Sequence, residues 1–266
     1  MAYGHDKWIL GNSIDHEYKY IGNYGAKGEK RAKRKKATPE QIRKQNQRNK
    51  EKRVWRKIRL NFKEGDYWNT LKYPEGTRKS LDEVYQDLKR CLDHVREDYK
   101  KLGEVFKYIY RIEIGKLGGI HIHLLCNRIP GKDCDLILKK RWSYGIHFQT
   151  LYEAGGYKRL ANYITKQSKE EDEEYKQLSL FEEEDQKKLM KYSCSRNLIE
   201  PKVERKWYTH WTMRKILKDG PIPTKGFYID EDSIVCGVNP YTGMSYYHYT
   251  EYRIHDIHRQ SKEELT

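Results

Sequence analysis

Between about Asp66 and Lys169 the spacing of apolar residues switches repeatedly between alternation and the helical period, and each switch marks an element. Alternation predicts strands over Tyr67–Tyr73, Lys107–Ile114, Ile120–Cys126 and Ile146–Leu151. The helical period predicts helices over Ser80–Leu102, Cys134–Arg141 and Gly156–Gln167. The order is β-α-β-β-α-β-α. An antiparallel sheet with helices on one face accommodates it, an α+β arrangement of the ferredoxin-like or RNA-recognition-motif-like kind.

The flanks read differently. Basic residues dominate Lys27 to Lys36, and Thr38-Pro39-Glu40 then supplies an N-cap, a first-turn proline and an acid that open a helix running to about Asn61. Arg43, Lys44, Arg48, Lys50, Lys52, Arg53, Arg56, Lys57 and Arg59 fall on most of its faces. This is either a solvated charged helix or one that meets a DNA backbone. From Lys169 to Lys188 acidic side chains crowd a short apolar island, the composition of an exposed linker. After Lys206 the pattern turns aromatic and β-like, with Gly226–Val238 and Ser245–Ile254 flanking the turn signal Asn239-Pro240-Tyr241-Thr242-Gly243. Four segments follow: a basic region with a long helix (1–64), a core (65–169), an acidic linker (170–190) and a β-hairpin extension (191–266).

Composition narrows the function. Of 266 residues 35% are charged, against 36% hydrophobic, and the net charge of +15 is what a protein that neutralises phosphates carries. The polar start, Met1 to Asp6, lacks the apolar core of a secretory signal, and no run of about 18 apolar residues occurs, so the reading is cytoplasmic, without a membrane. Cys91, Cys126, Cys134, Cys194 and Cys236 form no C-x-x-C pair, which points to reduced structural thiols. A phosphate-cradling G-x-x-x-x-G-K-[ST] loop is missing, so no ATP-driven helicase is expected in this chain.

Chemistry concentrates in Tyr110-Arg-Ile-Glu-Ile-Gly-Lys-Leu-Gly-Gly-Ile-His-Ile-His-Leu124, which reads as a hairpin folded at Gly115 to Gly119. A turn centred on Leu117 sets Glu113 opposite His121 and Arg111 opposite His123. Glu113, His121 and His123 then share one face, while Tyr110, Ile112, Ile114, Ile120, Ile122 and Leu124 form an apolar reverse. Two imidazoles and a carboxylate leave open positions on a divalent ion, as activation of a phosphate requires. Alternating histidines can also be the wet face of a strand; the matching Glu113 argues for the metal. The nucleophile candidate is Tyr163, in Asn162-Tyr-Ile-Thr-Lys166, with Lys166 on the same helical face to offset charge during attack. Tyr157 is a second candidate, for which packing or base stacking is the better reading.

The ordered set Tyr67-Trp-Asn-Thr-Leu-Lys-Tyr73, Gly119-Ile-His-Ile-His-Leu124 and Tyr163-Ile-Thr-Lys166 resembles the three motifs of the HUH-superfamily endonucleases, the Rep proteins of rolling-circle plasmids and phages. The likeness is nearest to replication-associated proteins of Gram-positive bacterial mobile elements and extends to Ser193-Cys-Ser-Arg-Asn-Leu198. The resemblance implies that His121, His123 and Glu113 bind Mg²⁺ or Mn²⁺, that Tyr163 forms a 5′-phosphotyrosine, and that Lys166 positions the phosphate. Thr70 and its strand would contact DNA, with Tyr67, Trp68, Lys72, Arg111, Arg48, Arg53 and Arg56 as further DNA-binding candidates. Two-tyrosine members carry both tyrosines on one helix face, so a one-tyrosine mechanism is implied here.

Gln177-Leu-Ser-Leu-Phe181 resembles the peptide by which bacterial polymerases dock on the sliding clamp, with Gln177, Leu178, Leu180 and Phe181 as its anchors. The expected partners are thus a single-stranded DNA origin, which could be a hairpin, the clamp, and a host helicase and polymerase, in a bacterial nucleoid. Two other readings stay open: a relaxase or transposase with the same chemistry, and a non-catalytic nucleic-acid-binding domain stacking bases on Tyr67 and Trp68.

Overall fold

The computed structural model describes residues 2–22, 31–77, 79–115, 118–152, 157–166, 182–189, 191–208 and 210–254. In chain order the first elements are β1 (Tyr3–Leu10), β2 (Ser13–Tyr20), α1 (Pro39–Asn61), β3 (Tyr67–Lys72), α2 (Leu81–Lys101), β4 (Tyr108–Ile114), β5 (Ile120–Cys126) and α3 (Cys134–Arg141). They are followed by β6 (Gly145–His147), α4 (Lys158–Thr165), α5 (Glu183–Leu189), β7 (Tyr192–Cys194), β8 (Glu204–Tyr208), α6 (His210–Asp219), β9 (Phe227–Asn239) and β10 (Met244–Arg253). The architecture is α+β, with two five-stranded antiparallel sheets. Two compact units result, 49–199 and 1–48 with 200–266, a division unlike the four consecutive segments read from sequence.

In the unit 49–199 the strand order is β6-β3-β5-β4-β7. Ser80 caps α2 in a reciprocal box with Glu83, satisfying end groups that the helix cannot pair internally. Leu81, Val84, Leu88, Cys91, Leu92, Val95 and Tyr99 then fall on one stripe and pack with Leu71, Ile112, Ile122, Leu124 and α3's Leu138 in the core. Truncating a core leucine such as Leu88 to alanine would cost about 2–5 kcal/mol. That apolar face is the one the hairpin alternation predicts. The helices are not confined to it, however: α4 meets the opposite face, where its Tyr163 and its last carbonyls contact Glu113, His123 and Arg111.

Three boundaries differ from the sequence reading. β6 ends at His147; beyond it the chain pairs irregularly with β3, through Trp68 N–H to the Gln149 carbonyl at 2.8 Å and a bridge between Tyr67 and Thr150. The Asn69 side chain accepts from Gln149 N–H and interrupts the ladder. α4 starts at Lys158 and stops at Thr165, and Gly156 and Gln167 lie outside the described residues. The end of the acidic stretch is helical, with Leu189 of α5 buried in the core. Gln177, Leu178, Leu180 and Phe181 lie outside the described residues.

The unit formed by 1–48 and 200–266 has strand order β8-β1-β2-β10-β9. β1 and β2 break the apolar alternation with His5, Asp6, Asp15, His16 and Glu17, all of which are buried. Burial is compensated by pairing: Asp6 holds Arg205 through two contacts of 2.5 and 2.8 Å and Lys19 at 2.8 Å. Burial alone raises the Asp6 pKa, but the hydrogen bonds from Arg205 and Lys19 outweigh it and hold the carboxyl below its ordinary range. His5 Nε2 lies 2.8 Å from His16 Nδ1, and the imidazoles stack on Tyr18 and Tyr249. The β9–β10 hairpin follows the predicted turn, with Gly243 at φ 69° and its N–H bonded to the Asn239 carbonyl at 2.7 Å. It is part of this sheet, with β10 paired to β2, where the sequence suggested only an appended hairpin.

Candidate metal centre and nucleophile

β4 and β5 pair with Glu113 opposite His121 and Arg111 opposite His123, as the turn position predicts. Strand alternation then brings the Glu113, His121 and His123 side chains to one face, with their ligand atoms all within 4.8 Å of one another. Oε2 of Glu113 stands 3.6 Å from His121 Nε2 and 3.2 Å from His123 Nε2. This is a hard carboxylate beside two imidazole nitrogens, a donor set that suits a divalent cation and leaves positions for oxygen ligands.

β3 supports the cluster from the side. Thr70 pairs with His123, and its Oγ1 lies 3.2 Å from Nδ1 of that ring. With the proton on Nδ1, Thr70 accepts it and Nε2 keeps its lone pair for the cluster. Trp68 stacks on His123 at 5.3 Å between centroids and meets Tyr163 edge-on. Lys72, opposite His121, is exposed on the same face. Tyr67 instead points into the helix-covered core, which corrects the expectation that it contacts DNA.

α4 delivers Tyr163. Ala161 and Ile164 are buried and fix the helix, while Tyr163 on its other face is 38% exposed. Its hydroxyl donates to Glu113 Oε2 at 2.6 Å and lies 2.8 Å from His123 Nε2. Burial would raise the Glu113 pKa, but hydrogen bonds from His121, His123 and Tyr163 and the charge of Arg111 hold it well below the carboxylate range, so the group stays anionic. Lys166, the residue after α4, is exposed.

Other sequence candidates separate by burial. Arg111 is 2% exposed and Arg56 9%, so neither presents its charge to DNA as expected, whereas Arg48 and Arg53 of α1 are exposed. Tyr157 is 5% exposed, sits in the left-handed region at φ 62°, and lies under the Arg59 guanidinium at 5.4 Å. It packs, in keeping with the better of its two readings. The sequence reading missed the stacking of Trp68 on His123 and the inward role of Arg111. The signal for both was present, since Trp68 and Thr70 alternate on one face and Arg111 shares a face with Glu113.

Among the described residues, no helix is long and apolar enough to cross a membrane. No curated protein and no solved structure shows significant similarity to the chain. One protein family does match, over residues 66–168, the stretch from just before β3 to just beyond α4 that contains every residue of the cluster and the tyrosine. By this match the chain carries, over those residues, a domain of the Replication-associated protein ORF2 family.

Proposed function

We propose that this chain is a single-tyrosine endonuclease of the HUH type that nicks single-stranded DNA to start rolling-circle replication of a mobile element. The observation that carries this reading is the Tyr163 hydroxyl, 2.6 Å from Glu113 and 2.8 Å from His123 in a domain of a replication-associated family. The β-α-β-β-α-β-α order from β3 to α4 supports it. His121, His123 and Glu113 would hold Mg²⁺ or Mn²⁺. A bound ion of this kind polarises a phosphate oxygen and offsets the charge that develops during attack.

The chain's own residues do the rest. Trp68, Thr70 and Lys72 line the face that the scissile strand approaches, and Arg48 and Arg53 offer positive charge to the backbone. The Tyr163 oxygen attacks phosphorus and loses its proton; the bond to the 3′ oxygen breaks, and that oxygen leaves as a hydroxyl able to prime synthesis. One phosphate ester is exchanged for another, without redox change or water. Lys166, exposed just past α4, would neutralise the phosphate.

The test is incubation with pooled single-stranded oligonucleotides and Mn²⁺, followed by denaturing electrophoresis. A chelator-sensitive protein–DNA band that vanishes in Tyr163→Phe supports the reading, and retained DNA binding with no such band replaces it with a non-catalytic binding domain. That alternative has lost one of its two stacking rings, since Tyr67 is buried. Relaxases and transposases share the chemistry, and the joined DNA sequence distinguishes them. The Gln177–Phe181 peptide, with Leu178 and Leu180, would bring the sliding clamp to the new 3′ end. Binding of the intact protein to purified clamp, lost on changing Leu180 and Phe181 to alanine, would support that partner; a host helicase and polymerase would act downstream.

A further inference from the structure

Arg111 is buried, and its contacts run inward. Nε lies 2.9 Å from Glu113 Oε1. One terminal nitrogen donates to the carbonyls of Tyr163 at 2.9 Å, Ile164 at 3.3 Å and Lys166 at 2.6 Å. The last carbonyls of a helix have no partner within it and carry its negative dipole end, so a guanidinium there completes a short helix that has no basic residue in its own last turn. The other oxygen of the same carboxylate, Oε2, accepts from the Tyr163 hydroxyl at 2.6 Å. A closed circuit results. Arg111 grips the backbone of Tyr163 and one oxygen of Glu113, while the second oxygen of Glu113 holds the far end of the Tyr163 side chain.

Resting on the endonuclease reading, we infer that Arg111 is the positioning residue that locks the nucleophile helix to the metal-binding strand, setting the distance from Tyr163 to the ion. A surface ion pair would not serve: buried charges cost several kcal/mol to desolvate and are retained where geometry demands them. Only the planar fork of arginine reaches a carboxylate with one nitrogen and several carbonyls with another. Lysine preserves the charge beside Glu113 but has a single nitrogen with which to satisfy the same partners. The expected consequence is a misplaced phenol beside an intact ligand set, and a misplacement near 1 Å costs about 100-fold in rate.

The experiment compares wild type with Arg111→Lys, using a single-stranded oligonucleotide of the sequence recovered from the wild-type adduct. Circular dichroism checks folding, calorimetry measures Mn²⁺ affinity, and adduct formation is followed at saturating Mn²⁺ and oligonucleotide. The positioning role predicts a folded R111K protein whose Mn²⁺ affinity and KM stay within about threefold of wild type while kcat falls about 100-fold. An unchanged kcat overturns it. So does a loss of Mn²⁺ affinity that accounts for the whole effect, or an R111K chain that does not fold, which would make Arg111 a folding residue only. If wild type itself forms no adduct, the endonuclease reading is what fails.

Discussion

The hydroxyl of Tyr163 donates to Oε2 of Glu113 at 2.6 Å, joining α4 to the first strand of the β4–β5 hairpin. Neither residue would be notable alone: the chain has 23 tyrosines, and an acid facing a histidine across a hairpin is an ordinary pair. Their contact, beside two imidazoles, is what makes the tyrosine a candidate nucleophile.

Glu113→Gln should therefore act on metal affinity and on stability together. It removes an anionic ligand and leaves the buried Arg111 guanidinium without its counter-charge, a change that costs about 3–5 kcal/mol when a buried pair is broken. Calorimetry with Mn²⁺ should show at least about tenfold weaker binding, and urea unfolding a lower midpoint. Wild-type values in both assays would show that Glu113 neither ligates nor pairs.

Thr70→Val keeps the shape of the side chain and removes the oxygen 3.2 Å from His123 Nδ1. Loss of such an outer partner weakens metal binding by about 10- to 100-fold, with little effect on the fold of an exposed-side strand residue. A Mn²⁺ titration of this variant indistinguishable from wild type would assign Thr70 to DNA contact alone.

Tyr157→Phe tests the choice of nucleophile. The Tyr157 ring is buried beneath Arg59, out of reach of a DNA strand, so adduct formation should persist at near wild-type level. Disappearance of the band in this variant would move the nucleophile six residues upstream.

Much of the 66–168 domain is legible in the sequence because its strands have one greasy face and its turn residues fix register. Glu113 opposite His121 follows from counting back from Leu117. What stays hidden involves polar residues whose partners are distant in sequence. His5, Asp6 and His16 read as surface positions, yet Arg205 and Glu251, about two hundred residues later, bury and pair them. Arg111 is hidden for the same reason: a basic residue on a strand beside a metal site reads as a DNA contact until α4 is seen to lie over it.

Burial and the neighbouring His16 lower the His5 pKa from 6.5 to about 4. The unfolded chain then binds the proton first as pH falls, so His5 contributes a loss of stability between pH 6.5 and pH 4 that is absent above it. With partial solvent screening the loss from pH 7 to pH 5 is on the order of 1 kcal/mol. His5→Phe should be less stable at pH 7, having lost the bond to His16, but should lose less on acidification. Parallel urea curves at the two pH values decide it; an equal acid loss in both proteins would clear His5 of the effect.

The central claim is most directly tested by digesting the DNA-linked protein formed with Mn²⁺ and mapping the modified peptide by mass spectrometry. The account predicts a single nucleotide-bearing peptide, modified at Tyr163 through a 5′-phosphate. A modification on any other residue, or no covalent product under conditions where the protein binds DNA and Mn²⁺, would contradict it.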